Sequence, residues 1–172
     1  MSDPLYVELF RLFSTHRDQR HDYFMRGNQA ASWIANSVFQ ALGLPDENFE
    51  TGQGSKPWVQ LYSYNEDGAV KETTWSELSD WDKEGRLRFA VGVALSSAVN
   101  SYPKVYFWIA YSLRIEDEQI LVSEIHGSRQ TFDVSSDDGL NALVTAYFAS
   151  LRECLRRSPQ ESFKAKPGIG FI

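Results

Sequence analysis

The fold is decided by three apolar runs: RFAVGVAL at residues 88–95, VYFWIAYSLRI at 105–115 and ILVSEIH at 120–126. Each run has the length of a strand and is rich in β-branched and aromatic residues. The stretch from Arg86 to Val134 therefore predicts consecutive antiparallel strands of one sheet.

Side-chain size differs between the faces of these strands. In the first run, Phe89, Val91 and Val93 face one way, while small residues at 90, 92 and 94 face the other. A small face permits close approach of another element, and we expect a helix there. In the second run both faces are apolar, which predicts a central strand covered on both sides.

Helical patterns stand at both ends of the chain. Leu5, Leu9 and Leu12 recur at helical spacing, and Gly27 is expected to interrupt this helix. A second helix would begin at Asn28 and end at Gly43, which is followed by Leu44 and Pro45. A short helix is predicted from Trp75 towards Lys83, and a last one from Ser135 to Ser158.

Between the helical regions, residues 45–56 read as a loop, and 58–64 with 69–73 as a hairpin. The prediction is an α+β fold: a mainly antiparallel sheet of about five or six strands, two N-terminal helices, one short middle helix and one C-terminal helix. Residues 1–158 would form a single domain, and 159–172 a C-terminal tail.

Composition limits the class of protein. The 172 residues carry a net charge of −6, with 42% hydrophobic and 14% aromatic residues, as in a globular protein. One cysteine excludes an internal disulfide framework, and neither a signal peptide nor a membrane span is apparent. We expect a soluble cytoplasmic protein without a cofactor or a bound metal.

Charge is unevenly distributed along the chain. Residues 46–84 contain ten acidic and three basic residues, whereas residues 151–172 contain five basic and two acidic ones. This layout disfavours a nucleic-acid partner and favours a protein partner. The predicted contact residues are two tryptophans with their neighbouring carboxylates, and two apolar residues of the tail: Trp75, Trp81, Asp80, Asp82, Phe171 and Ile172.

The last hairpin offers an alternative, catalytic interpretation. With a turn at Gly127 and Ser128, one face of the hairpin would carry Glu124, His126, Arg129 and Asp133. Such groups could perform acid–base chemistry or hold a metal, as in a metal-dependent hydrolase or nuclease. The other interpretation is a solvated sheet face with cross-strand ion pairs.

One short segment supports a third class. The sequence GQGSKPWV at residues 52–59 resembles the Gly-x-Gly…Pro-Trp segment of the N-terminal DNA-recognition domains of McrBC-type restriction systems. The resemblance covers about a dozen residues and implies a nucleic-acid recognition domain of a prokaryotic defence system. The leading hypothesis remains a non-catalytic module that binds another protein.

Overall fold

The structure is a computed structural model that describes residues 4–96, 105–127, 130–157 and 168–172. It contains two α-helices, nine strands and one 3₁₀ turn within these ranges. In chain order the elements are α1 (Leu5–Leu42), β1 (Asn48–Thr51), β2 (Gly54–Pro57), β3 (Val59–Tyr64), β4 (Val70–Glu72), the 3₁₀ turn (Trp75–Glu77), β5 (Leu87–Leu95), β6 (Val105–Glu116), β7 (Gln119–Glu124), β8 (Thr131–Asp133), α2 (Asp137–Arg156) and β9 (Ile169–Phe171).

The predicted pair of N-terminal helices is wrong, because α1 is one continuous helix of 38 residues. Gly27 lies inside it, and its missing side chain makes room for the indole of Trp81. A Cβ atom at Gly27 would come within 2.8 Å of Trp81 Cζ2. The glycine therefore serves close packing rather than a break, whereas Gly43 ends the helix in the left-handed conformation, as predicted.

Seven strands form the main sheet, which is one more than the upper limit that the sequence predicted. The strand order is β4-β3-β5-β6-β7-β8, and all pairs are antiparallel. The seventh strand, β9, joins β6 on the stretch from Phe107 to Ile109, next to the stretch that pairs with β7. The predicted loop at 45–56 contains a separate two-stranded sheet, β1-β2.

Both helices contribute to the main core, together with one face of this sheet. Tyr147 of α2 is fully buried, and its hydroxyl lies 3.1 Å from the carbonyl of Val91 and 3.2 Å from that of Phe107. Burial raises the pKa of this phenol well above its ordinary value, so it stays protonated and can donate. α2 is thereby tied to two central strands, and the prediction of a C-terminal helix is confirmed.

The opposite, outer face of the sheet is covered differently from our expectation. Aromatic rings of neighbouring strands lie over its small residues, in the place where a helix was predicted. The ring of Tyr62 lies over Gly92, and the indole of Trp108 lies over Gly170. Phe49 of the β1-β2 hairpin joins this second apolar cluster and stacks on Trp58, with ring centroids 4.7 Å apart.

Two further local predictions need correction. The middle helix is only the 3₁₀ turn Trp75–Glu77, after which Trp81 bridges to Leu87 as extended chain. The predicted turn at Gly127 and Ser128 would pair Val122 with Asp133, but Leu121 pairs with Asp133, so the register of the last hairpin is shifted by one residue. β7 ends at Glu124, and His126, two residues later, adopts the left-handed conformation rather than an extended one.

None of the helices within the described ranges has the length and apolar character required to cross a membrane.

Candidate functional site

The most exposed apolar surface belongs to the N-terminal part of α1. Six large apolar side chains there are 54–77% exposed, although their spacing places them on one side of the helix. They form what we call the α1 apolar face: Leu5, Tyr6, Leu9, Phe10, Leu12 and Phe13. An apolar patch of this extent on a protein surface typically marks an interaction site.

The same stripe of α1 is buried further along the helix. Steps of three or four residues lead from Leu5, Leu9 and Leu12 through 16, 20 and 23 to the buried positions 27, 31, 34 and 38. Such steps keep residues on one side of a helix. Residues 27–38 use this side to pack on the domain's own core, whereas residues 5–13 present the same kind of surface, which none of the described elements covers.

Length explains why the stripe is only partly covered. A helix of 38 residues is about 57 Å long, whereas the longest strand, of 12 residues, is about 40 Å. From residue 5 to residue 22 the helix is exposed all around, apart from the half-buried Val7 and Ser14. This half of α1 therefore extends beyond the core that its other half helps to form.

Charges around the α1 apolar face balance one another. The segment from residue 5 to residue 22 contains three arginines and three carboxylates. Arg17 and Asp18 form an exposed ion pair at 3.4 Å, and the guanidinium of Arg20 lies 5.2 Å from the ring centroid of Phe24. The segment from residue 5 to residue 22 is thus amphipathic but electrically neutral, unlike the basic helices that lie on anionic membranes.

The predicted contact residues around Trp75 lie elsewhere and are less exposed. Trp75 itself is 37% exposed, on the 3₁₀ turn. Trp81 is half-buried against α1, with its ring centroid 4.8 Å from that of Phe24. Asp80 contributes its backbone carbonyl to the N–H of Arg88. The structure thus gives Trp81 a packing role, and its part in partner binding stays a prediction.

Asp82 closes a turn. Burial alone would raise its pKa, but this effect is outweighed by hydrogen bonds from the backbone N–H and guanidinium of Arg86 and from the N–H of Glu84. The net result is a lowered pKa for the Asp82 carboxyl group. Its ion pair with Arg86, at 2.8 Å, fixes the turn that leads into β5.

Two of the predicted catalytic residues line one groove. Glu124 and His126 lie at the end of β7 beside a groove of about 350 Å³ on the sheet. The groove is also lined by three residues that are neighbours across β5, β6 and β7, namely Arg88, Ser112 and Ser123. The guanidinium of Arg88 lies 5.4 Å from the ring centroid of Tyr64. The groove is polar and open to solvent.

Asp133, the other predicted acid, does not line this groove. Its carboxylate accepts hydrogen bonds from the hydroxyl and N–H of Ser135 and from the N–H of Ile120. The Ser135 hydroxyl is the main reason why the pKa of Asp133 lies below its ordinary value, although burial opposes the shift. Asp133 therefore stabilises the connection between β8 and α2.

The proposed metal-binding or catalytic set is thus not assembled in the described part of the chain. Arg129, its fourth member, lies outside the described residues. Across residues 4–96, 105–127, 130–157 and 168–172, no three histidine, cysteine or acidic side chains are close enough to share a metal ion.

Phe171 and Ile172, the predicted apolar contacts of the tail, lie on the main sheet. Ile172 exchanges two backbone hydrogen bonds with Tyr106, and the ring of Phe171 lies 5.5 Å from that of Phe107. Their side chains are about half exposed. Residues 169–172 therefore pair with β6 of the same domain, and residues 159–167 lie outside the described ranges.

The α1 apolar face was not identified as a site from the sequence. The sequence predicts only an apolar stripe at helical spacing, in a helix that Gly27 would interrupt. A useful signal was present, since the stripe keeps the same phase on both sides of Gly27. Such continuity predicts one long helix but does not indicate which part of it is covered.

Comparison with known proteins gave no match: no family model, no curated protein and no solved structure is significantly similar to this chain.

Proposed function

We propose that this protein is a non-catalytic interaction module that binds another protein through the α1 apolar face. The proposal is supported by one observation above all, the exposure of six large apolar side chains on one side of a helix. Three of the six are aromatic, and aromatic residues are enriched at the centres of protein interfaces.

The chemistry of the face suits a protein surface better than other ligands. Its immediate surroundings have no excess of positive charge, so neither a phosphate backbone nor an anionic membrane is favoured. A helical stripe of leucine and aromatic residues is the kind of surface that docks on a groove or on another helix. The acidic region around Trp75 offers less exposed apolar area, and we assign it a secondary role.

Site-specific photo-crosslinking tests the proposal directly. Phe10→benzoylphenylalanine would place a crosslinker within the α1 apolar face. The matched control is Trp33→benzoylphenylalanine, because Trp33 is 45% exposed on the same helix but off this stripe. We expect a defined protein adduct from position 10, identifiable by mass spectrometry, and no such adduct from position 33.

A second pair of changes tests whether the face itself is responsible. When Leu9→Asp and Phe13→Asp are added to the chain that carries benzoylphenylalanine at position 10, the adduct should no longer form. The partner identified from the adduct should bind the purified chain without any substitution, and it should not bind the chain that carries both aspartates. The proposed function is wrong if irradiation of the chain with benzoylphenylalanine at position 10 gives no protein adduct, or if the adduct still forms when both aspartates are present.

A further inference from the structure

We infer that the α1 apolar face binds a second copy of this chain, with the two N-terminal helical segments packed antiparallel about a two-fold axis near Leu9. This inference rests on the proposed function and names the partner. A two-fold axis requires a surface that is complementary to itself.

Area is the first argument. Six leucine, phenylalanine and tyrosine side chains at these exposures present roughly 700 Å² of apolar surface. Each partner in a stable interface of ordinary size buries about 800 Å². The face by itself therefore nearly suffices for a dimer, and the neighbouring helix surface would supply the remainder.

The arrangement of residues along the face is the second argument. Antiparallel pairing centred on Leu9 brings Leu5 opposite Phe13, Tyr6 opposite Leu12 and Leu9 opposite its own copy, whereas Phe10 falls opposite Glu8. The apolar block ends at residue 13, and the polar residues from 14 to 22 would lie beyond the paired stretch. Five of the six side chains of the face thus meet an apolar side chain across the two-fold axis, where a self-complementary surface is required.

Charge decides between antiparallel and parallel pairing. In a parallel pair, Arg17 and Arg20 would approach the same residues of the partner, and like charges at close range repel. An antiparallel pair separates these arginines. It also places the two folded bodies at opposite ends of the helical segment, which is about 27 Å long for the 18 residues from 5 to 22.

Sedimentation velocity of the full purified chain tests self-association. We expect a dimer whose dissociation constant rises at least 100-fold with Leu9→Asp or with Phe13→Asp. Leu155→Asp is the matched control, because Leu155 of α2 is 58% exposed and lies outside the α1 apolar face. The chain with Leu155→Asp should still form the dimer. Far-UV circular dichroism checks that each variant is folded.

Disulfide trapping tests the orientation. In a Cys154→Ser background, which removes the single native cysteine, chains with Leu5→Cys are mixed with chains with Phe13→Cys. We expect the mixed disulfide between positions 5 and 13 to predominate over either homodimeric disulfide. Predominance of the disulfide between two copies of position 5 would show parallel pairing and overturn the antiparallel arrangement.

The outcomes separate this inference from the proposed function. A chain that is monomeric at all tested concentrations, yet forms a face-dependent adduct with a different protein, overturns the dimer and leaves the proposed function intact. A dimer that is unaffected by Leu9→Asp and Phe13→Asp overturns the assignment of the interface. Recruitment of a folded monomer to anionic vesicles, with no protein adduct, overturns both.

Discussion

Two buried tyrosines of the structure differ in whether their hydroxyl groups have hydrogen-bond partners. The Tyr147 hydroxyl lies within hydrogen-bonding distance of two backbone carbonyls of the sheet. The Tyr62 hydroxyl is buried without a hydrogen-bond partner among the described residues. A satisfied buried hydroxyl stabilises the fold, whereas an unsatisfied one loses its hydration without compensation.

This contrast predicts opposite effects of the same substitution. Tyr147→Phe should lower the free energy of unfolding by about 1–2 kcal/mol, since it removes a buried hydrogen bond. Tyr62→Phe should leave the free energy of unfolding unchanged or raise it by up to about 1 kcal/mol, because it removes a buried hydroxyl group that has no hydrogen-bond partner among the described residues. Urea denaturation of the three proteins measures both changes; a larger loss for Tyr62→Phe than for Tyr147→Phe would contradict the assignment.

At the scale of elements, the contact between Gly27 and Trp81 holds α1 on the sheet. Gly27→Ala would normally favour a helix by about 1 kcal/mol. Here the new methyl group would collide with the Trp81 indole, so we expect a net loss of about 1–3 kcal/mol in the free energy of unfolding.

A double-mutant cycle checks this origin. In a Trp81→Leu background, Gly27→Ala should cost much less, because the ring that it would meet is gone. Gln29→Ala, at an exposed position two residues further along the helix, should be nearly neutral. Equal costs of Gly27→Ala in both backgrounds would show that the glycine is needed for a reason other than its contact with the indole.

Much of the sheet was predictable at this scale, and the reason is pattern length. The runs at 88–95, 105–115 and 120–126 carry enough apolar residues to identify strands without tertiary information. The β7-β8 register was not predictable, because a two-residue turn at Gly127 and Ser128 requires His126 to be extended, whereas His126 adopts the left-handed conformation. A residue other than glycine rarely adopts this conformation, and its sequence gives no sign of it.

The site was less predictable than the fold. Trp75 and Trp81 were chosen because tryptophan favours interfaces, yet burial against α1 gives Trp81 a structural contact. Whether an apolar stripe is covered depends on how far the rest of the domain extends beside the helix. That is a property of the assembled fold, so the exposure of Leu5 and Phe13 could not be read from local periodicity.

For the whole molecule, the mismatch between a long helix and a smaller sheet has an energetic consequence. Most helical stability in proteins comes from the packing of an amphipathic face against other parts of the structure. Residues 5–22 lack such packing against the described residues of the same chain but continue a helix that is packed on the core from residue 27 onward. A second copy on the α1 apolar face would supply the missing packing.

Amide hydrogen exchange of the purified chain, measured across a dilution series, tests most directly whether a second copy binds there. Exchange within residues 5–22 should become faster on dilution and with Leu9→Asp, because undocked helix opens readily, while exchange within residues 27–38 should stay unchanged. Exchange within residues 5–22 that is independent of both protein concentration and Leu9→Asp would contradict the claim that this face binds a second copy.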